Sequence, residues 1–188
     1  MNSDKNISME LSAAEKQTLF AIANDTLSWC IGDRGTKFDF SKYEITEKLK
    51  ITTATFVTLN IRGMLRGCIG SLEPATALYK SVHDNAVNAA LHDPRFPAVS
   101  MKELPLLDVH ISVLSPIVPI QSPAEFKLGE HGIILTKGYH RAVYLPEVAT
   151  EQNWTVAETL SSLSQKAGLP PNGWKDGATF EVFSSTVI

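Results

Sequence analysis

Two neighbouring segments with alternating polar and apolar residues, 54–61 and 65–71, constrain the fold of this chain most strongly. Successive side chains of a β-strand point to opposite faces of a sheet, so each segment predicts a strand with one buried face. Only the residues 62–64 separate the two segments, which predicts an antiparallel hairpin. A slip of one residue would exchange the two faces, so the polar pattern should decide the register.

The two registers considered for this hairpin differ in the length of its loop. A two-residue turn at 62–63 would pair Leu59 with Arg66 and so place a charge on the apolar face. A three-residue loop at 62–64 keeps polar and apolar side chains apart, and its pairs are Ile61 with Leu65, Asn60 with Arg66 and Thr58 with Cys68. We therefore predict the three-residue loop.

The second strand of the hairpin carries a combination of residues that suggests chemistry, because Arg66, Cys68 and Gly70 share one face. A guanidinium beside a thiol favours the reactive thiolate, and a glycine leaves room for a small molecule beside the sulfur. Free cysteine is also among the most buried residue types, so a purely structural role for Cys68 stays open. Cys30 falls on the apolar stripe of a predicted helix and is expected in the core.

Further candidate residues lie in a proline-flanked turn and on a later strand. The segment 92–97 holds two prolines, which forbid a regular helix, around Asp93 and Arg95. Arg95 could bind an anion, or the two residues could bridge each other and shape the turn. His110 falls on the polar face of a strand predicted at 106–114. It has no metal-ligand partner nearby in the sequence, so we predict neither a metal nor a cofactor.

The remaining patterns predict three main helices and several short strands. Capping boxes that begin at Ser12 and Thr155 open two helices, and Pro74 occupies the first turn of a third that runs to Leu91. Asn85 lies on the apolar face of that third helix and is expected to bond a neighbouring backbone. Other strands are predicted at 133–137, 141–145 and 179–183. Hairpins mixed with helices, without repeated βαβ units, predict an α+β fold with a mostly antiparallel sheet in one or two lobes.

Charge, cysteine content and apolar runs narrow the functional class. The 188 residues carry a formal net charge of -3 without a basic cluster, which argues against a nucleic-acid surface. Two cysteines are too few for a disulfide framework, so we predict a cytoplasmic protein. Residues 1–10 are expected to be a flexible terminus without a signal core, and 11–188 a single domain. The longest apolar run, 111–120, is broken by two prolines and predicts no membrane span.

Five sequence blocks, in order along the chain, together resemble the AMME-syndrome candidate-region (AMMECR) family. They are Leu-Arg-Gly-Cys-Ile-Gly at 65–70, Asp-Pro-Arg-Phe-Pro at 93–97, Ile-Ser-Val-Leu-Ser-Pro at 111–116, His-Gly-Ile-Ile-Leu at 131–135 and Tyr-Leu-Pro-Glu-Val at 144–148. The resemblance implies the A component of the AmmeMemoRadiSam system, a cytoplasmic α+β domain in two lobes associated with a Memo-like dioxygenase-type protein and a radical-SAM protein. It implies no established activity.

The same resemblance points to particular positions of this sequence, namely Arg66, Gly67, Cys68, Gly70, Asp93, Arg95, His131 and Arg141. The chain departs from the family pattern at His110, where an acidic residue is expected. That departure removes a carboxylate and supplies a histidine that could act as a base.

Two functions fit these residues about equally well, and a third fits less well. The first is an enzyme in which Cys68 is the nucleophile and His131 or His110 the base, acting in group-transfer or amide chemistry on a small anionic metabolite held by Arg66 or Arg95. The second is a non-catalytic module that binds such a ligand and hands it to partner enzymes. The third is an adaptor that presents an exposed apolar patch.

Overall fold

The computed structural model describes residues 10–32 and 35–188, which divide into two compact units. The first unit comprises Met1–Leu114 with Thr186–Ile188, and the second comprises Ser115–Ser185. Residues 1–9 of the predicted flexible terminus lie outside the described residues. That 11–188 forms a single domain stays a prediction.

The first unit contains two long helices and three strands: α1 (Ala13–Ile31), β1 (Thr55–Ile61), β2 (Met64–Gly70), α2 (Leu78–Leu91) and β3 (Leu107–Leu114). Strand β1 lies between β2 and β3, and both of its pairings are antiparallel. The apolar face of β1 is buried under the helices, while alternate residues of the strand are half-buried. The hydrophobic core of the first unit includes Leu19, Ile22, Leu27, Val57, Leu59, Leu78, Val82 and Ile111.

The hairpin turn is shorter than predicted, since it consists of Arg62 and Gly63 alone. The φ angles of these residues are 52° and 77°, and a type I′ turn needs positive values at both positions. The predicted pairs of Ile61 with Leu65 and of Asn60 with Arg66 are therefore wrong, and Ile61 pairs with Met64 instead.

A β-bulge then restores the predicted separation of polar and apolar faces. Asn60 pairs with Leu65, whereas its neighbour Leu59 pairs with Gly67, so Arg66 is the extra residue on β2. Beyond the bulge, Thr58 pairs with Cys68 as predicted. The sheet thus combines a two-residue turn with the facial pattern that the longer loop was expected to provide.

The two helices of the first unit begin differently from each other. The Ser12 hydroxyl accepts a hydrogen bond from the Glu15 amide (3.2 Å), and the Glu15 carboxylate accepts one from the Ser12 amide (2.8 Å), which confirms the predicted capping box. Helix α2 begins at Leu78, so the expectation that Pro74 lies in its first turn is wrong. Its first amide donates to the carbonyl of Ile51 (2.9 Å), and that bond fixes its start.

Asn85 ties α2 to the sheet as predicted. Its side-chain amide donates to the backbone carbonyl of Thr55 (3.1 Å) and to the Thr55 hydroxyl (2.9 Å). A buried amide on an apolar helix face is thereby satisfied by the strand beneath it.

The second unit contains four strands and two helices: β4 (Val118–Ile120), β5 (His131–Lys137), β6 (His140–Tyr144), α3 (Pro146–Glu151), α4 (Val156–Lys166) and β7 (Thr179–Val187). The pairs β5–β6, β5–β7 and β4–β7 are all antiparallel. Its core includes Phe126, Ile133, Leu135, Leu160, Leu163, Phe180 and Val182. Thr155 and Glu158 form the predicted capping box of α4.

The helices and strands together confirm the predicted α+β class. The three main helices are α1, α2 and α4, and the strand pairs are antiparallel. The end of β7 returns to the first unit, where Ile188 exchanges two backbone hydrogen bonds with Ile111 (2.9 and 3.2 Å). Among the described helices, none combines the length and the apolar character needed to cross a membrane.

Candidate functional site

Three side chains form a row across the sheet of the first unit. Thr58 on β1 pairs with Cys68 on β2 and with His110 on β3, so the three residues lie side by side on one face. The Thr58 hydroxyl donates a hydrogen bond to the sulfur of Cys68 over 3.2 Å. Two strand spacings separate Cys68 from His110, which places their Cα atoms about 10 Å apart.

His110 is oriented by a carboxylate on its own strand. Its Nε2 lies 3.0 Å from Oδ2 of Asp108, and 44% of the His110 side chain is exposed. A carboxylate can only accept, so Nε2 carries the hydrogen and Nδ1 keeps a lone pair while the ring is neutral. The ring can therefore accept a proton on the nitrogen that Asp108 does not occupy.

The segment with Asp93 and Arg95 closes the outer edge of β2 at Cys68. The Cys68 amide donates to Oδ2 of Asp93 (2.9 Å), and Nη2 of Arg95 donates to the Cys68 carbonyl (3.3 Å). Arg95 also donates to Asp93 through Nε (3.0 Å) and Nη2 (2.8 Å). The bridge that shapes the turn is therefore present, and it holds the backbone of Cys68 in place.

Asp93 and Arg95 each shift the pKa of the other. The Arg95 guanidinium, the Cys68 amide and the Arg95 amide hold the pKa of buried Asp93 far below its usual range, although burial opposes this. Asp93 in turn raises the pKa of Arg95. The Arg95 side chain stays 54% exposed, so one edge of its guanidinium is open to solvent.

Arg66 pairs with a different carboxylate, that of Glu103, rather than with the sulfur of Cys68. Its Nε and Nη2 donate to the two oxygens of Glu103 (2.8 and 3.3 Å), and Nη2 also reaches the carbonyl of Ala98 (3.4 Å). Arg66, with help from Ser100, lowers the pKa of Glu103 to about 2. Nη1 of Arg66 is buried without a hydrogen-bond partner among the residues that the structure describes.

The glycines around Cys68 are packing positions. A Cβ atom at Gly67 would lie 2.2 Å from the Ala89 carbonyl oxygen, so α2 crosses β2 in direct contact with its backbone. A Cβ atom at Gly70 would lie 2.4 Å from the ring of Phe56, its cross-strand partner. The expected free space at Gly70 is therefore wrong, because the Phe56 ring fills it.

His131 and Arg141 belong to the second unit. The His131 ring accepts a hydrogen bond at Nδ1 from the Lys127 amide (3.2 Å). Arg141 is exposed on β6, opposite Thr136 on β5. The first unit thus brings Cys68, Asp93 and Arg95 into direct contact and sets His110 in the same row, and functional roles for His131 and Arg141 stay predictions.

Sequence reasoning missed one important partner in this region. Glu103 caps a short turn, since it accepts hydrogen bonds from the Ser100 amide and hydroxyl (2.8 and 2.9 Å). Its pairing with Arg66 joins residues 37 positions apart, and no local pattern marks such a contact. Thr58 could be found, because the predicted register already placed it opposite Cys68.

A cavity of about 630 Å³ lies within the second unit. It is lined by Pro119, Ile120, Gln121, Pro123, Trp174, Lys175, Ala178, Thr179, Phe180 and Glu181. None of the residues predicted as a site lines it. Within 10–32 and 35–188, no three His, Cys, Asp or Glu side chains are grouped so that they could hold a metal ion.

Comparison with known proteins gives one consistent result. The AMMECR1 family matches residues 20–188. A protein of Methanothermobacter thermautotrophicus is 38% identical over 175 residues, 90% of each chain, and one of Methanococcoides burtonii is 31% identical over 183 residues, 95% of this chain and 90% of the relative. The crystal structure of the uncharacterized protein PH0010 from Pyrococcus horikoshii is similar, with a TM-score of 0.80 and 31% identity over 90% of this chain and 88% of that one.

Proposed function

The chain belongs to the AMMECR1 family, and from that premise we propose that the row of Cys68, Thr58 and His110 is the active site of a cysteine-dependent enzyme. Its chemistry would be group transfer or amide chemistry on a small anionic substrate. The observation that carries the proposal is the register that sets a hydrogen-bonded thiol and a carboxylate-oriented imidazole in one row. That order of nucleophile, base and orienting acid suits covalent catalysis.

The proposed step begins with transfer of the Cys68 thiol proton to Nδ1 of His110. Thr58 stands between the two groups, so its hydroxyl, once it turns its hydrogen from the sulfur towards His110, can accept the thiol proton and pass its own on, directly or through one water. The sulfur then bonds to an electrophilic carbon, for example the carbonyl carbon of an amide. The imidazolium returns its proton to the leaving group as the carbon–nitrogen bond breaks, and Asp108 stabilises the charged ring meanwhile.

Arg95 is the better of the two arginines for substrate recognition in this proposal. Its guanidinium is fixed beside Cys68 by Asp93 and is half exposed, whereas Arg66 is only 13% exposed and paired with Glu103. A pre-placed guanidinium loses little conformational entropy when it pairs with a carboxylate or phosphate. The expected substrate is therefore a small molecule with one such group near its reactive carbon.

Alkylation kinetics test the proposed row. We expect iodoacetamide to modify Cys68 well before Cys30, whose side chain is only 2% exposed. His110→Gln and Thr58→Val should each slow modification of Cys68 at pH 7 by about tenfold, because each removes a step of the proton path. His92→Gln, at an exposed histidine outside the row, is the matched control and should leave the rate unchanged. Equal labelling of the two cysteines, or unchanged rates in both row variants, would exclude the mechanism.

A second candidate, an adaptor that serves Memo-like and radical-SAM proteins, is favoured by one specific observation. Met64, which pairs with Ile61 of β1, is 70% exposed, and Leu106, which precedes the Ile61 partner Leu107 on β3, is 49% exposed, so two exposed apolar side chains flank this end of β1. Such a patch suits a protein partner. Calorimetry with a purified Memo-like protein would test it, since a Met64→Ser/Leu106→Ser variant should lose binding while Cys68→Ser keeps it. Retained binding in the double variant would contradict the adaptor function.

The cytoplasmic location predicted from the cysteine content belongs to this proposal. Cys30 and Cys68 are both free thiols, and thiol chemistry at Cys68 requires that its sulfur stay reduced.

A further inference from the structure

We propose that the cavity of the second unit binds a small molecule in which a short chain joins an aromatic ring to one carboxylate, the chemical class of arylalkanoic acids. All ten residues that line it lie within Ser115–Ser185, so the proposal is independent of the Cys68 row and of the function proposed there. The cavity volume of about 630 Å³ falls in the range of natural small-molecule sites. An apolar wall and an ammonium group beside it select the ligand.

The cavity lies where two segments of the chain separate beyond the last pair of β4 with β7. Ile120 and Phe180 form that pair. The segments that continue from it, 121–123 and 174–178, both contribute to the lining of the cavity and belong to no strand. The space between them is therefore not closed by the hydrogen bonds of a β-ladder.

One wall of the cavity is apolar and continuous with the core of the second unit. Phe180 is a core residue, and Ile120, Trp174 and Ala178 pack against the same core. The Trp174 indole donates a hydrogen bond from Nε1 to the Ser161 hydroxyl on α4 (3.3 Å), which holds the ring in place. A fixed aromatic surface can receive the ring of a ligand without first being ordered.

Lys175 supplies a positive charge beside this wall. Its ammonium nitrogen lies 5.6 Å from the centre of the Trp174 ring, and the electrons of the ring attract the ammonium group without neutralising it. Lys175 forms no ion pair with any residue that the structure describes, its neighbour Asp176 included. A ligand carboxylate can therefore pair with Lys175 while the ring of the ligand lies against the wall.

Glu181 also lines the cavity, but from the opposite face of the sheet. Glu181 pairs with Pro119, and Phe180 pairs with Ile120. Successive side chains of a strand point to opposite faces, so the Glu181 carboxylate points away from the apolar wall to which Phe180 contributes. Of the two charged residues that line the cavity, Lys175 is thus the one beside the wall, and its charge favours an anion.

Gln121 offers the carboxylate a second partner. Its backbone amide donates to the Glu125 carboxylate (2.8 Å), which fixes this part of the chain, whereas its side-chain amide forms no hydrogen bond with any described residue. Such an amide can donate to a carboxylate. A ligand with an aromatic ring and one carboxylate uses Lys175, Gln121 and the wall together, whereas an amine of the same shape is repelled by Lys175.

The test uses the full chain and follows the indole NH signal of Trp174 by ¹⁵N NMR, with Trp174→Phe to assign it. We expect 3-phenylpropanoate to shift this signal saturably, because its ring lies against Trp174. The uncharged 3-phenylpropanamide has the same shape and should bind about tenfold more weakly, as expected for loss of one charged hydrogen bond. The cation 3-phenylpropylamine should bind more weakly still.

Variants of the charged residues complete the experiment. Lys175→Gln should weaken 3-phenylpropanoate binding about tenfold and bring the acid and the amide to equal affinity. Glu181→Gln should change neither the affinity nor the preference for the acid, because this carboxylate lies on the other face of the sheet. Lys127→Gln, at an exposed lysine of the same unit outside the cavity, is the matched control and should bind as the wild type does.

Four results would overturn the proposal. Absence of a saturable shift would show that the ring does not bind at Trp174. Equal binding of the acid and the amide by the wild type, or a preference for the acid that survives Lys175→Gln, would show that Lys175 does not select the ligand. A gain in acid binding in Glu181→Gln would show that the Glu181 carboxylate faces the ligand.

Discussion

Cys68 is anchored by its backbone more than by its side chain. Its amide and carbonyl are bound by Asp93 and Arg95, whereas its sulfur receives a single hydrogen bond from Thr58. A residue held in this way can be changed at the sulfur without loss of the strand edge. Such an arrangement suits a reactive side chain, because the scaffold around it does not depend on its chemistry.

Substitution of Cys68 should therefore cost little stability. We expect Cys68→Ala to lower the free energy of unfolding by less than about 1.5 kcal/mol, since it removes one hydrogen bond to sulfur and a small half-buried group. Leu78→Ala, at a fully buried position of α2, should cost about 2 to 5 kcal/mol. Urea denaturation measures both. Equal losses would show that Cys68 is a core residue and would weaken the proposed chemistry.

The ion pair of Glu103 with Arg66 should make stability depend on pH in acid. The pKa of Glu103 falls from an ordinary 4.5 to about 2 on folding, so the pair stabilises the protein above pH 4.5 and loses this effect as the pH falls towards 2. The stability difference between wild type and Glu103→Gln should therefore shrink across that window in urea denaturation. Glu151→Gln, at an exposed carboxylate, is the control. A constant difference from pH 7 to pH 2 would contradict the assignment.

Individual residues of the site were predictable where the sequence carries their chemistry and unpredictable where a distant partner decides their role. Arg66 and Arg95 could be identified as candidates from the sequence. A bridge between Asp93 and Arg95 could be predicted as one alternative, because the two residues lie close in the sequence. Glu103 could not be assigned to Arg66, because that contact closes over a long stretch of chain. The sequence therefore suggested that Arg66 or Arg95 holds an anion, with a bridge to Asp93 as the alternative for Arg95, and the structure shows both arginines paired with carboxylates of the chain itself.

At the scale of elements, the β1–β2 hairpin shows which part of a register a sequence determines. The alternation of apolar residues decided which face each side chain takes, and Thr58 pairs with Cys68 accordingly. The turn, however, followed its own local preference for two residues with positive φ at Arg62 and Gly63. A bulge at Arg66 reconciles the two demands, and bulges have no strong sequence signature beyond a nearby glycine.

Contact between α2 and β2 depends on Gly67. We expect Gly67→Ala to cost about 3 kcal/mol, because the new methyl group would lie 2.2 Å from the Ala89 carbonyl oxygen and the helix backbone cannot yield cheaply. Gly63→Ala is the matched control, since its Cβ meets nothing within 4 Å and only its φ of 77° opposes the change. It should cost about 1 kcal/mol. Urea denaturation would compare the free energies of unfolding of the two variants, provided that the slopes of the transitions stay unchanged. Equal losses in the two variants would contradict the close contact between α2 and β2 at Gly67.

Elements were predicted best where their signals are local. The capping boxes at Ser12 and Thr155 fixed two helix starts, since both partners of each box lie within one turn. The start of α2 was misplaced at Pro74, because a distant carbonyl, that of Ile51, satisfies its first amide. Strand β4 was missed, since Pro119 interrupts its pattern and pairing with β7 supplies its order.

At the scale of the whole molecule, the end of the chain belongs to the first unit although most of the preceding residues belong to the second. Ile188 exchanges two backbone hydrogen bonds with Ile111 of β3, and its side chain packs against the first unit's core. Nothing in the sequence of 186–188 marks this return, because three residues carry too short a pattern to identify the strand that they join. The chain therefore forms the second unit before it supplies residues 186–188 to the first unit.

Deletion of the residues 186–188 should destabilise the first unit selectively. The loss includes the two backbone hydrogen bonds of Ile188 and the contact of its partly buried side chain, for which together we expect about 2 to 3 kcal/mol. Hydrogen exchange should show faster exchange for amides of β3 than in the wild type, with amides of α4 in the second unit much less affected. Ile188→Ala keeps the backbone bonds and should show roughly half of the effect, because only the side-chain burial is removed. If the deletion and the wild type exchange alike at the Ile111 amide, which donates to the carbonyl of Ile188 over 3.2 Å, the end of the chain contributes nothing to the first unit.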